Sequence, residues 1–161
     1  FEFIDRLLEV IRDTPQHHYQ ILTKRAERME EYFINRRVPD NAWLGVTVEN
    51  KKMKYRVDHL SAIDAKIHFL SCEPLLEDLG ELNLENIQWI IVGGESGFQA
   101  RPMKEKWVLN IKAQAYAHKI PFFFKQWGTW GQDGIKRNKK VNGKLLQGAI
   151  VQELPRFPLI K

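Results

Sequence analysis

The chain has a single cysteine, Cys72. No disulfide can close within it, and one thiol cannot assemble a thiolate-held metal cluster. No charged-then-apolar leader opens the sequence, so the expected compartment is the cytoplasm. Long apolar runs are missing as well: none approaches the ~18 residues a helix needs to cross a bilayer, which excludes a helical membrane span. No two of the five histidines have metal-ligand spacing, and no metal site is expected. The first residue is Phe, not Met, which suggests a piece of a longer chain.

What is present suits one globular domain. The 161 residues are 43% hydrophobic, enough for one sizeable core and few for two. Charge is unevenly placed. Residues 135–161 carry Lys136, Arg137, Lys139, Lys140, Lys144, Arg156 and Lys161 against Glu153 alone, so the net charge of +5 belongs to the tail. Such a tail suits a polyanion such as nucleic acid, or is simply a solvated loop.

Periodicity supplies the architecture. Phe3, Ile4, Leu7, Leu8 and Ile11 recur at helical spacing up to Asp13-Thr14-Pro15. Residues 19–25 read as a strand and 26–37 as a helix. Residues 42–50 read as a second strand, followed by the helical stripe Met53, Val57, Leu60 and Ile63. Residues 66–76 begin a third strand, 77–88 show little period, and "WIIVGGESG" is a fourth. Pro102 suits a helix start, Trp107, Val108, Ile111 and Ala115 form a helical face, and 121–128 is a fifth strand. Beyond Gly128 glycines punctuate one weak hairpin. Apolar strands alternating with helices predict an α/β fold: an open, mostly parallel sheet of about five strands flanked by helices.

In such sheets functional groups collect at the carboxyl ends of the strands. Here every exit is polar: Thr23-Lys24-Arg25, Thr47 with Glu49-Asn50, Ser71 with Glu73, Glu95-Ser96, and Lys125-Gln126-Trp127. Glu49, Glu73 and Glu95 leave successive strands. Clustered carboxylates can ligate a divalent cation, act as acid and base, or bind a cationic or hydroxylated ligand. They can equally form a salt-bridged rim with Lys24, Arg25 and Lys125. The "GGESG" turn fits a phosphate cradle poorly, because it lacks dinucleotide and P-loop spacing and carries Glu95. Its glycines instead permit a tight turn or a close backbone approach, with Glu95 and Ser96 over a pocket. Trp127 and Trp130 flank Gly128 and suit either base stacking or a hydrophobic cap.

Five segments in order, "YQILTKRAERM", "NAWLGVTVEN", "IHFLSCEPLL", "WIIVGGESG..ARPM" and "PFFFKQWG", resemble the phage-associated three-cysteine-motif proteins, a family of unknown function. The resemblance runs from Phe1 into the tail segment "GKLLQG..VQELP". It implies a partial (β/α) barrel over residues 1–130, with 131–161 a basic tail or hairpin packed on it. In that family a cysteine motif precedes this region and looks like the iron–sulfur ligating segment of radical S-adenosylmethionine enzymes. Those cysteines are absent here, so no cofactor is expected in this chain itself. An iron–sulfur cluster and S-adenosylmethionine are implied for the full-length protein. Cys72 is no cluster ligand, and "GGE" at 93–95 follows a late strand, unlike the early glycine-glycine-glutamate element of radical enzymes.

The positions matching family motifs are Lys24, Arg25, Glu49, Asn50, Ser71, Glu73, Glu95, Ser96, Arg101, Lys125 and Gln126. The resemblance implies ribose or methionine contacts for Glu49 and Asn50, substrate or amino-group contacts for Glu73 and Glu95, and an anionic group for Arg101 and Lys125. The chain is thus expected to be the substrate- and cofactor-binding wall of a phage-type radical-S-adenosylmethionine-like protein, inactive alone. Two alternatives stand beside it. One is a non-catalytic nucleic-acid module using Trp127, Trp130, Lys136, Arg137, Lys139 and Lys140; the other is an inactive fragment. An unpaired edge at 19–25 is expected to be covered by the opening helix, the tail, or a second copy of the chain.

Overall fold

A computed structural model describes residues 1–156; Lys161 and the last residues of the expected tail unit lie outside them. Helix α1 (Glu2–Asp13) leads to β1 (Tyr19–Thr23), α2 (Ala26–Phe33), β2 (Ala42–Thr47), a 3-10 turn at Lys51–Met53, α3 (Tyr55–Ser61), β3 (His68–Cys72) and β4 (Trp89–Gly93). Next come α4 (Glu105–Ala117), β5 (Phe122–Gln126), the single turn α5 (Lys139–Asn142) and the hairpin β6 (Leu145–Leu146) and β7 (Ala149–Ile150). The expected elements are present with shorter ends. Helix α4 starts three residues after Pro102, which stays exposed in the approach, and residues 73–88 form an irregular connection in place of a helix.

The sheet is all-parallel, in the order β1-β2-β3-β4-β5. Because each strand is laid beside the last in sequence order, right-handed crossovers return the connecting segments to the same face. The two faces differ accordingly. One carries Leu44, Val46, Leu70, Cys72, Ile90, Val92, Phe122 and Phe124, packed with α1 Leu8 and Ile11, α3 Leu60 and α4 Val108 and Ile111. Leu75, Leu79, Leu82, Leu84 and Ile87 bury the irregular connection into this same core, replacing the missing helix.

The other face carries no helix among the described residues. Trp43, Phe69 and Trp89 form its buried cluster, with Ile67, Ile91 and Phe123 packed around them. Trp89 meets Trp43 and Phe123 edge-on at 5.9 and 5.8 Å, the orientation ring quadrupoles favour. Gly45 makes this layer possible: a Cβ there would lie 2.3 Å from the Phe69 ring, so the ring occupies the space a side chain would take.

The tail covers an edge, and it is the β5 edge. Phe124 N–H donates to Val151 O at 2.7 Å and Glu153 N–H to Phe122 O at 3.1 Å, giving an antiparallel bridge of Phe123 with Gln152. Glu153 fixes this strap, accepting from Phe122 N–H and Tyr116 Oη while its own carbonyl accepts from Trp89 Nε1. Of the three covers expected for β1, the described part of the tail supplies none and pairs with β5 instead. Helix α1 packs into the helix-bearing core, and the outer edge of β1 has no partner strand among the described residues.

Candidate functional site

Parallel pairing puts the exits of all five strands on one edge, and the candidate residues there are held in three separate groups. At the β2 exit the Glu49 carboxylate takes Lys24 Nζ on Oε1 and Arg56 Nη1 on Oε2, the latter at 3.0 Å. Arg56 also donates to Thr47 O at 2.9 Å. Glu49 and Arg56 are both 8% exposed, so their pairing satisfies charges that burial would otherwise penalise heavily. Burial, and then the neighbouring Arg56 charge, lower the pKa of Lys24. Arg56 was not among the sequence candidates. Its signal is its place one turn before Leu60, on the buried side of α3.

At the β3 exit Glu73 reaches across β4. Its Oε1 accepts from Gln126 Nε2 at 2.9 Å and its Oε2 from Lys125 Nζ at 3.0 Å. Gly93 opens that lane, since a Cβ there would sit 3.1 Å from Glu73 Cδ and 3.3 Å from Gln126 Nε2. The second glycine, Gly94, lets the β4 exit press on the backbone of Trp127. So "GG" serves a side-chain crossing and a backbone approach.

The third group is Glu95 with Arg101. The guanidinium donates through Nε and Nη2 at 2.9 and 2.8 Å, and Arg101 N–H donates at 2.8 Å. The Arg101 side chain, then its backbone N–H, hold the Glu95 carboxyl at about 2. This carboxylate is committed to closing its own loop.

The remaining candidates differ in placement. Ser71 is buried beside Thr47 in register. Arg25 is exposed and leads into α2. Ser96 is exposed beyond Glu95, beside Phe98. Cys72 lies wholly buried in the helix-bearing core, where loss of solvation pushes its thiol up to about 12. Of the two alternatives for Trp127 the structure shows the hydrophobic one: it is 2% exposed, stacks edge-on against Phe124 and donates Nε1–H to Leu145 O. Its ring faces the core and is not presented to a base. Trp130 is half-buried and donates to Ala100 O.

Four buried side-chain atoms have no hydrogen-bond partner among the described residues: Thr47 Oγ1, Asn50 Oδ1, Arg56 Nε and His68 Nε2. Three of the four belong to residues at the β2 exit or hydrogen-bonded to it, Thr47, Asn50 and Arg56. No group of three or more His, Cys, Asp or Glu among the described residues is placed to hold a metal ion. A cavity of about 970 Å³ opens at the opposite, amino edge, lined by His18, Asn41, Trp43 and Ile67. Its cations are largely engaged, Arg36 with Asp5, and Arg37 and Lys66 with Asp40. It also lies away from the edge where parallel sheets place their chemistry.

A family model described as "Protein of unknown function (DUF5131)" matches residues 1–155. The chain belongs to this family. No curated protein and no solved structure matches it. No helix among the described residues is long and apolar enough to cross a membrane. The DUF5131 match thus spans both the parallel sheet and the tail strap that closes β5.

Proposed function

We propose that this DUF5131 chain is the ligand-binding wall of a larger (β/α) barrel of radical-S-adenosylmethionine type, taking a small hydroxylated and amine-bearing molecule at the carboxyl edge of β2 and β3. The observation that carries the reading is that Thr47 Oγ1, Asn50 Oδ1 and Arg56 Nε, on residues at the β2 exit or bonded to it, are buried and unpartnered among the described residues. Buried polar groups left unpaired cost free energy, and those gathered at a strand exit suit a ligand that completes them. Asn50 Oδ1 offers an acceptor, Arg56 Nε a donor and Thr47 either, a set matched to a ribose diol or an amino-acid end. Glu49 then acts indirectly, holding Arg56 in position. The consecutive strand order with helices on one face supports the barrel wall.

An iron–sulfur cluster does not fit the residues present. The one thiol is buried on the helix-bearing face, and no ligand group accompanies it among the described residues. The chain's part is binding.

Isothermal titration of the chain with S-adenosylhomocysteine tests the reading. Wild type should bind, and Thr47→Val and Asn50→Ala should each weaken binding by roughly tenfold, the scale of one lost hydrogen bond to a buried group. Absence of wild-type binding, or wild-type affinity in both variants, overturns it.

A further inference from the structure

We propose that the loop after β4 and the basic segment after β5 form a groove for single-stranded nucleic acid, with Phe98 as the stacking platform and Lys136, Lys139 and Lys140 as phosphate contacts. This proposal stands apart from the β2-exit reading and shares none of its residues. The groove, about 670 Å³, runs between Ser96, Gly97 and Phe98 on one side and Thr129 and residues 136–140 on the other.

Phe98 is 88% exposed, more than any other large apolar side chain among the described residues. Its loop is nevertheless well held. Gly97 N–H donates to Thr129 Oγ1 at 2.9 Å, Thr129 N–H donates to Glu95 O at 2.9 Å, and the Glu95–Arg101 pair closes the loop base. An aromatic ring displayed on a braced loop keeps most of its surface open, and a stacking partner would bury it at small ordering cost. Lys136 joins the two sides: its ammonium donates to Phe98 O at 2.5 Å and lies 5.0 Å from the Phe98 ring centroid.

Charge selects the partner. Most of the rim cations are paired, Lys24 and Arg56 sharing Glu49, Lys125 with Glu73 and Arg101 with Glu95. Arg137 is likewise spent on Asp133, through two bonds of 2.8 and 2.7 Å. Lys136, Lys139 and Lys140 are exposed and have no carboxylate within ion-pair distance among the described residues. Three uncompensated ammonium groups beside one displayed ring suit a flexible polyanion whose bases are free to stack. A duplex keeps its base faces covered and offers the ring nothing.

Fluorescence anisotropy with a labelled 12-mer oligodeoxythymidylate, the matching duplex and anionic phosphatidylserine vesicles as competitor tests this. The expected outcome is a preference for the single strand, with a log K against log salt slope of about −2 for three phosphate contacts. Phe98→Ala should weaken it by roughly 5- to 100-fold and Phe98→Trp should preserve or tighten it. Changing Lys136, Lys139 and Lys140 together to Gln should flatten the slope. Phe98 is exposed, so its variants should keep the wild-type circular dichroism melt. The proposal is overturned by no binding at 50 mM salt, by duplex binding equal to the single strand, by an unchanged Phe98→Ala affinity, or by vesicles displacing the oligonucleotide at lower charge concentration.

Discussion

Gly94 and Trp127 touch through their backbones: a Cβ on Gly94 would lie 1.8 Å from Trp127 O and 2.7 Å from its carbonyl carbon. The contact joins the β4 exit to the β5 exit, and Gly94 N–H adds a 2.9 Å bond to Gln126 O. A methyl group there has no flexible side chain to push aside. Gly94→Ala should lower stability by roughly 2–3 kcal/mol, in the range of overpacked positions. Gly93→Ala should cost less, because its obstacle is the end of the Glu73 side chain. Urea denaturation of the two variants measures the difference, and the reverse ranking would contradict the backbone contact.

Glu95 gives the chain an acid-sensitive loop. Its folded pKa lies at about 2, below the ordinary glutamate value of 4.5, because Arg101 hydrogen-bonds the charged form. A depressed folded pKa contributes stability that is fully present above the unfolded value and is lost as pH falls toward 2. Glu95→Gln should therefore remove part of the fall in urea midpoint between pH 5 and pH 2.5. Identical pH profiles for variant and wild type would count against the Arg101 contact in solution.

Arg56 is the buried partner of Glu49. Arg56→Met leaves Glu49, 8% exposed, with Lys24 alone. The expected loss is about 3 kcal/mol, the lower end for a broken buried pair, because Lys24 remains. Combining it with Glu49→Gln should recover part of the loss. A double-mutant cycle on chemical denaturation reads the coupling, and additive losses would remove the pair from the structure's support.

The β1 edge has its own signature. Tyr19 N–H donates inward to Asn41 O, so strand alternation turns the amides of Gln20 and Leu22 outward. Those two amides should exchange faster than that of Ile21 in native-state hydrogen exchange. Pairing of β1 with a second copy would slow them as concentration rises, alongside a mass increase by light scattering. Slow exchange in a dilute monomer would mean that the edge is covered from within.

The sequence by itself determined the order of strands and helices, because fully buried parallel strands need continuous apolar runs such as Trp89–Val92, and turns need the residues that bound them. It also determined that Glu49, Glu73 and Glu95 leave strands on one edge, since parallel strands and right-handed crossovers allow no other placement. Only the tertiary structure decided what each carboxylate meets. Arg56 comes from a helix, Lys125 and Gln126 from two strands away and Arg101 from beyond a loop, and spacing along the chain does not encode such distances. The burial of Trp127 and the choice of β5 over β1 by the tail were decided in the same way. Both depend on which apolar surface stays open once the sheet has formed, and a linear pattern of residues carries polarity but not enclosure.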